Sequence, residues 1–203
     1  LLGGVLPTPG APLLIGRYGL DLGVVISASH NLYQDNGIKF FGGDGFKLSD
    51  EHEHAIERRL DEPVPPCASI GRVRELHGTQ EDYLRALEVR FQGLDLSGLD
   101  VLLDCAHGAT YKVAPAVFEE LGATVIELGV EPDGFNINQD SGSTAPEGLV
   151  RAVLAHRGDL GIALDGDGDR LICVDDSGAL VDGDELLYII AAEQQRATGA
   201  CGG

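Results

Sequence analysis

The chain has 203 residues, 43% of them hydrophobic and 23% charged, a composition that fills a core and excludes wholesale disorder. Its 33 acidic and 14 basic side chains give a formal charge of −19, which argues against nucleic acid and anionic lipid as partners. No apolar run approaches the ~20 residues of a membrane span.

In chain order, residues 8–19 read as a short helix in a Gly/Pro-rich setting, and Val24-Val25-Ile26 as a buried strand ending at Ser27. Ile38 to Phe41 predicts a second strand. Ser49 and Asp50 cap a helix expected to run to about Leu60, with Glu51 and Glu53 in its first turn. Pro63, Pro65 and Pro66 then break the chain. A polar helix over Thr79–Arg90 bridges to the next unit.

From residue 98 the pattern changes. Strands are expected at Val101–Leu103, Thr124–Leu128, Leu160–Leu164 and Leu171–Val174. Helices are expected at Pro115–Leu121 (closed by Gly122), Pro146–His156 and Asp184–Gln195. Strands alternating with helices over short connections predict an α/β fold: a partial first domain, then a second α/β domain with a mainly parallel mixed sheet. The expected division is 1–62, a linker with the bridging helix over 63–97, and 98–203.

The charge is uneven, because residues 98–203 hold 19 of the acidic side chains and only five of the basic ones. That half either holds a cation or is simply well solvated. Cys67, Cys105, Cys173 and Cys201 show no zinc spacing, and Cys173 lies in an apolar run, which suits a reducing cytoplasm. The chain contains no Met, and its start at Leu1 lacks a basic n-region, so no signal peptide is expected and the sequence reads as a piece of a longer protein.

Asp165-Gly166-Asp167-Gly168-Asp169-Arg170 lies between two apolar strands. Carboxylates at alternate positions, separated by glycines, can converge on one point. Bunched anions repel, and an all-oxygen ligand set favours Mg²⁺, Mn²⁺ or Ca²⁺ over zinc. The bland alternative is a solvated acidic turn. An EF-hand is disfavoured, because its positions 6 and 12 would be Arg170 and Asp176 and a strand precedes the loop.

Ser27-Ala28-Ser29-His30-Asn31 follows the first strand directly. Ser29 beside His30 suggests a nucleophile beside a base, although a Ser/Asn turn would look the same. Asn36-Gly37 is a turn signal, and Lys39 falls in a strand among apolar neighbours, facing a cleft or solvent.

Taken together, VVISASHNLYQDNGIKFFGGDGFKL (24–48) resembles the phosphoserine-loop region of the α-phosphohexomutases, and LGIALDGDGDR (160–170) resembles that family's metal loop. ISASHN, DNGIKFF and EPDGFNIN…GST (131–144) are most similar to its bacterial phosphoglucosamine mutase branch, and LPTPG (6–10) and VDGDELLYIIA (181–191) agree. The resemblance implies that Ser29 carries a phosphoryl group and that Asp165, Asp167 and Asp169 bind Mg²⁺ together with that phosphate. It places Arg170, Asn31, Lys39 and His30 near the phosphoryl group, with His30 or Lys39 as general base. The implied partner is a phosphorylated amino sugar, with neither nucleic acid nor membrane, and a homodimer is left open for the full-length parent. Leu32 stands where the family usually has Pro, a change that loosens the loop more than the chemistry. Other phosphomannose or phosphoglucose mutases, a non-enzymatic metal-binding module and an aspartyl phosphatase are the competing readings.

Overall fold

The computed structural model describes residues 1–67 and 69–199; Cys201 lies outside them. Helix α1 spans Gly10–Tyr18, and strands β1 (Leu22–Ser27) and β2 (Gly37–Gly42) form an antiparallel pair. Helix α2 covers Asp50–Glu57, three residues short of the expected end. Its N-cap Ser49 accepts from the His52 N–H at 3.4 Å. Helix α3 covers Thr79–Arg90 as expected, after an irregular stretch that contains the three prolines.

Strands β3 (Asp100–Asp104), β4 (Thr124–Leu128), β5 (Leu160–Leu164), β6 (Leu171–Asp175) and β7 (Leu180–Val181) form one mixed sheet in the order β4-β3-β5-β6-β7. Helices α4 (Val113–Glu120), α5 (Glu147–His156) and α6 (Gly183–Thr198) alternate with them. β4, β3 and β5 run parallel, whereas β6 is antiparallel to β5 and β7 is antiparallel to β6. The reversal follows from loop length, because the loop 165–170 is far shorter than the dozen or so residues a parallel crossover needs.

Period-2 alternation in β3 sorts the core into two layers. Val101, Leu103 and Cys105 pack with Ile162 and Cys173 against Ala114, Phe118 and Leu186. Leu102 points the other way, to Leu149 and Val153 of α5 and to Ala163 and Val174. With both faces covered, β3 is apolar between its terminal aspartates and β5 is apolar throughout.

β1 departs from expectation. Leu14, Ile15 and Phe41 are buried on one side of the β1–β2 pair, but Val24 is 52% and Ile26 72% exposed. A β-branched run specifies a strand, yet burial needs a covering layer, and among the described residues none lies over that face. No helix of the described residues is long and apolar enough to cross a membrane.

Candidate functional site

The carboxylate loop grows out of β5, inside the completed sheet. Asp165 Oδ1 accepts from the backbone N–H groups of Gly168 (3.0 Å), Asp169 (3.1 Å) and Arg170 (3.2 Å). Those three bonds wrap the loop around its first carboxylate. Gly168 sits at φ +72, a left-handed position suited to glycine. The result brings ligand oxygens of Asp165, Asp167 and Asp169 within 4.8 Å of one another. Asp165 is fully buried, Asp167 is 2% exposed and Asp169 faces solvent.

Each carboxylate is managed differently. Burial pushes the Asp165 carboxyl above its ordinary range, and the Asp167 charge adds to this. Burial acts on Asp167 in the same direction, but hydrogen bonds from Lys39 and Thr8 outweigh it and hold the group below its usual range. Thr8 Oγ1 donates to Asp167 Oδ2 at 2.6 Å, and Lys39 Nζ reaches the same oxygen at 2.5 Å and Asp169 Oδ2 at 3.5 Å. Burial works against the Lys39 ammonium, yet its two carboxylate partners raise its pKa overall. Asp167 Oδ1 has no hydrogen-bond partner although it is buried. An unpaired buried carboxylate oxygen within an all-oxygen cluster is the donor set a hard divalent cation takes.

Ser29 arrives from the other half of the chain, at the end of β1. Its φ of 51° is left-handed, a conformation that costs a non-glycine residue about 1–2 kcal/mol. Local bonds offset that cost. The Ser29 N–H donates to Ser27 Oγ at 2.9 Å, and the Ser29 carbonyl accepts from the Gly166 N–H at 3.1 Å. Gly166 has to be glycine here: a Cβ would lie 2.6 Å from the Ser29 carbonyl oxygen. Ser29 Oγ is thereby placed 3.4 Å from Asp165 Oδ2.

The structure therefore brings Ser29, Lys39, Asp165, Asp167 and Asp169 together. His30 and Asn31 lie exposed on the rim, where the Asn31 carbonyl accepts from Asn138 Nδ2 at 2.7 Å. Arg170 is exposed, with Nε 3.9 Å from Asp169 Oδ1. A cleft of about 940 Å³ opens beside Ser27, Ala28 and Asp167, and its apolar end is the uncovered face of β1.

Two contributors escape sequence reasoning. Thr8, inside LPTPG, grips Asp167 by its hydroxyl and also donates its N–H to the Asp167 carbonyl at 3.0 Å. Asp104, at the end of β3, accepts from the N–H groups of Ala106 (2.9 Å) and Gly142 (2.8 Å) and so ties two loops beneath the site. A buried Asp ending an otherwise apolar strand was a readable signal; a lone Thr between prolines was not.

Residues 1–64 match the family model described as phosphoglucomutase/phosphomannomutase, alpha/beta/alpha domain I, and residues 81–178 match its domain II. A phosphoglucosamine mutase of Alcanivorax borkumensis is 53% identical over 194 residues, which are 95% of this chain and 44% of that protein. The crystal structure of a phosphoglucomutase/phosphomannomutase family protein from Burkholderia thailandensis superposes with TM-score 0.75 at 24% identity, over 95% of this chain and 43% of the other. That of Aspergillus fumigatus N-acetylphosphoglucosamine mutase in complex with GlcNAc-6P and magnesium gives TM-score 0.63 at 16% identity, over 95% and 52%. At these identities the two structures show a shared fold. The chain spans about half the length of the curated relatives it matches.

Proposed function

Since the chain belongs to the phosphoglucomutase/phosphomannomutase family through both matched domains, we propose that it is the phosphoryl-transferring part of a phosphoglucosamine mutase. The observation that carries this reading is convergence: Ser29 Oγ and a three-carboxylate cluster meet across 136 residues of sequence. Sequence identity of 53% to a phosphoglucosamine mutase supports the substrate class. The corresponding division is 1–62 as part of domain I, 63–97 as linker and bridging helix, and 98–203 as domain II.

In the proposed reaction, phosphorylated Ser29 gives its phosphoryl group to a free hydroxyl of glucosamine 6-phosphate. The P–Oγ bond breaks as the sugar O–P bond forms, and the hydroxyl proton passes by way of His30 to the Ser29 oxygen that is released; Lys39, the other candidate base, does not serve, because its carboxylate partners keep its ammonium protonated. The resulting 1,6-bisphosphate reorients and returns its 6-phosphoryl group to Ser29, leaving glucosamine 1-phosphate. Asp165, Asp167, Asp169 and the Ser29 phosphate would hold Mg²⁺. When bound, it supplies charge neutralisation and electron withdrawal at the phosphoryl oxygens. A phosphoserine carries about −1.5 to −2 charge, so its approach to the carboxylates needs compensation. Lys39 already lies against Asp167 and Asp169 and faces the same anions; Arg170 and Asn31 are assigned to the phosphate rim. Free thiols at Cys67, Cys105 and Cys173 support a reducing, cytoplasmic setting.

The family to which both domains belong takes its name from phosphoglucomutase and phosphomannomutase, the competing assignments. Steady-state assays of the complete gene product with the 6-phosphates of glucosamine, glucose and mannose separate them. The expected result is preference for glucosamine 6-phosphate; preference for either other sugar overturns the assignment. Residues 1–203 alone are expected to show no turnover, since contacts that orient both ends of a substrate supply about 7–11 kcal/mol in such reactions.

A further inference from the structure

Asn138 lies in the loop between β4 and the 3-10 turn Gly142–Thr144, outside both the serine and the carboxylate motifs. It is 5% exposed and sits at φ 57°. Its backbone N–H donates to the Ala106 carbonyl at 2.9 Å, which fixes the residue to the segment after β3. Its side-chain nitrogen donates to two carbonyls at once, those of Ser29 and Asn31, both at 2.7 Å.

An amide nitrogen has two hydrogens and no charge. Both are spent here on one three-residue loop from the other half of the chain. Asp offers the same shape with no donor, Ser has only one, and Lys brings a charge. The Ser29 carbonyl therefore accepts from two directions, Asn138 Nδ2 and the Gly166 N–H. The stack has no slack: a Cβ on Gly166 would meet Asn138 Nδ2 at 2.8 Å and Ile137 Cδ1 at 2.6 Å. A second tie joins the same two loops, since the Tyr33 and Phe135 rings pack edge to face at 5.1 Å.

We propose that Asn138 is a positioning residue: it clamps the Ser29–Asn31 loop against the carboxylate loop and so sets where Ser29 Oγ stands relative to Asp165 and Asp167. The role rests on the phosphoryl-transfer reading above. Misplacing a reacting group by ~1 Å can cost about 10²-fold in rate, so loss of the clamp should act on the transfer step and leave sugar binding intact.

The test uses Asn138→Gly, which keeps the left-handed backbone and deletes the amide, and Asn138→Asp, which keeps the shape and replaces both donors. In the complete gene product, amide hydrogen exchange at residues 29–31 should rise about tenfold or more, with β3 and β5 unchanged. For the sugar phosphate, kcat should fall about 100-fold and KM should stay within about threefold. Unchanged exchange at 29–31 in both variants overturns the proposal. So does a loosened loop with wild-type kcat, or exchange that rises throughout β3 and β5 in both variants. If the wild-type protein itself shows no turnover, the functional reading fails, and exchange at 29–31 alone decides whether Asn138 holds Ser29.

Discussion

The two halves of this chain use similar apolar strands to opposite effect. β3 and β5 lie between helical layers, so Val101, Leu102, Leu103 and Ala163 are fully buried. β1 and β2 form a two-stranded ribbon covered on one side by α1, and Leu22, Val24, Ile26 and Ile38 are exposed. A run of β-branched residues states a preference for strand; only the neighbouring layers decide what it buries. The site straddles this contrast. Its carboxylates stand on the covered sheet, whereas Ser29 stands on the ribbon and takes its position from Gly166 and Asn138 across the junction.

The largest expected effect is at Ser29, at the end of the ribbon's first strand. Ser29→Ala should reduce steady-state turnover of the complete gene product to background. Ser27→Ala removes one hydrogen bond to the Ser29 N–H, worth about 0.5–1.5 kcal/mol, and should cost about tenfold at most. Equal losses in the two variants would mean that Ser29 has no special role.

On the covered side, Asp167→Asn should weaken Mg²⁺ binding, read by calorimetry, by more than the ~10–100-fold that outer-shell changes typically cost. Thermal unfolding should remain a single cooperative transition with a somewhat lower midpoint, because Asn keeps the side-chain shape while Lys39 and Thr8 lose their charged acceptor. Unchanged Mg²⁺ affinity would put the cation elsewhere.

A stability pair addresses the contrast itself. Leu103→Ala opens a cavity under complete cover and should cost about 2–5 kcal/mol in urea unfolding. Ile26→Thr, on the open face of β1, should stay within about 0.5 kcal/mol. Similar losses at both positions would show that the open face is covered in solution.

The smallest effect is chemical. Cys67 is exposed, whereas Cys105 and Cys173 are buried, and burial pushes the Cys105 thiol up to about 12. At pH 8, iodoacetamide followed by peptide mapping should label Cys67 and leave Cys105 and Cys173 unmodified in the folded protein. Rapid labelling of Cys105 would mean that the β3 layer opens.

Much of the fold was legible in the sequence because it is written in local signals. α3, β4 and β5 have the bounds that periodicity and capping predict, and the carboxylate loop announces itself by its alternation. The two-residue β7 was not legible, since Leu180 and Val181 are too short a run to show a period. The exposure of Val24 and Ile26 was not legible either, because burial is a property of what lies opposite. Lys39 looked like an alternating strand residue; its partners Asp167 and Asp169 are more than a hundred residues away. Thr8 is a lone polar side chain between two prolines and Asn138 is one of many polar side chains in the 131–144 stretch, and only the assembled fold gives them partners.

The central claim is that Ser29 carries a phosphoryl group toward the carboxylate cluster. Phosphopeptide mapping of the complete gene product, after incubation with glucosamine 1,6-bisphosphate and Mg²⁺, tests it most directly. The account predicts one phosphoryl group, on Ser29 and absent from Ser27, and none in Ser29→Ala. An acid-stable label elsewhere, or a hydroxylamine-labile acyl phosphate on Asp165 or Asp167, would contradict it.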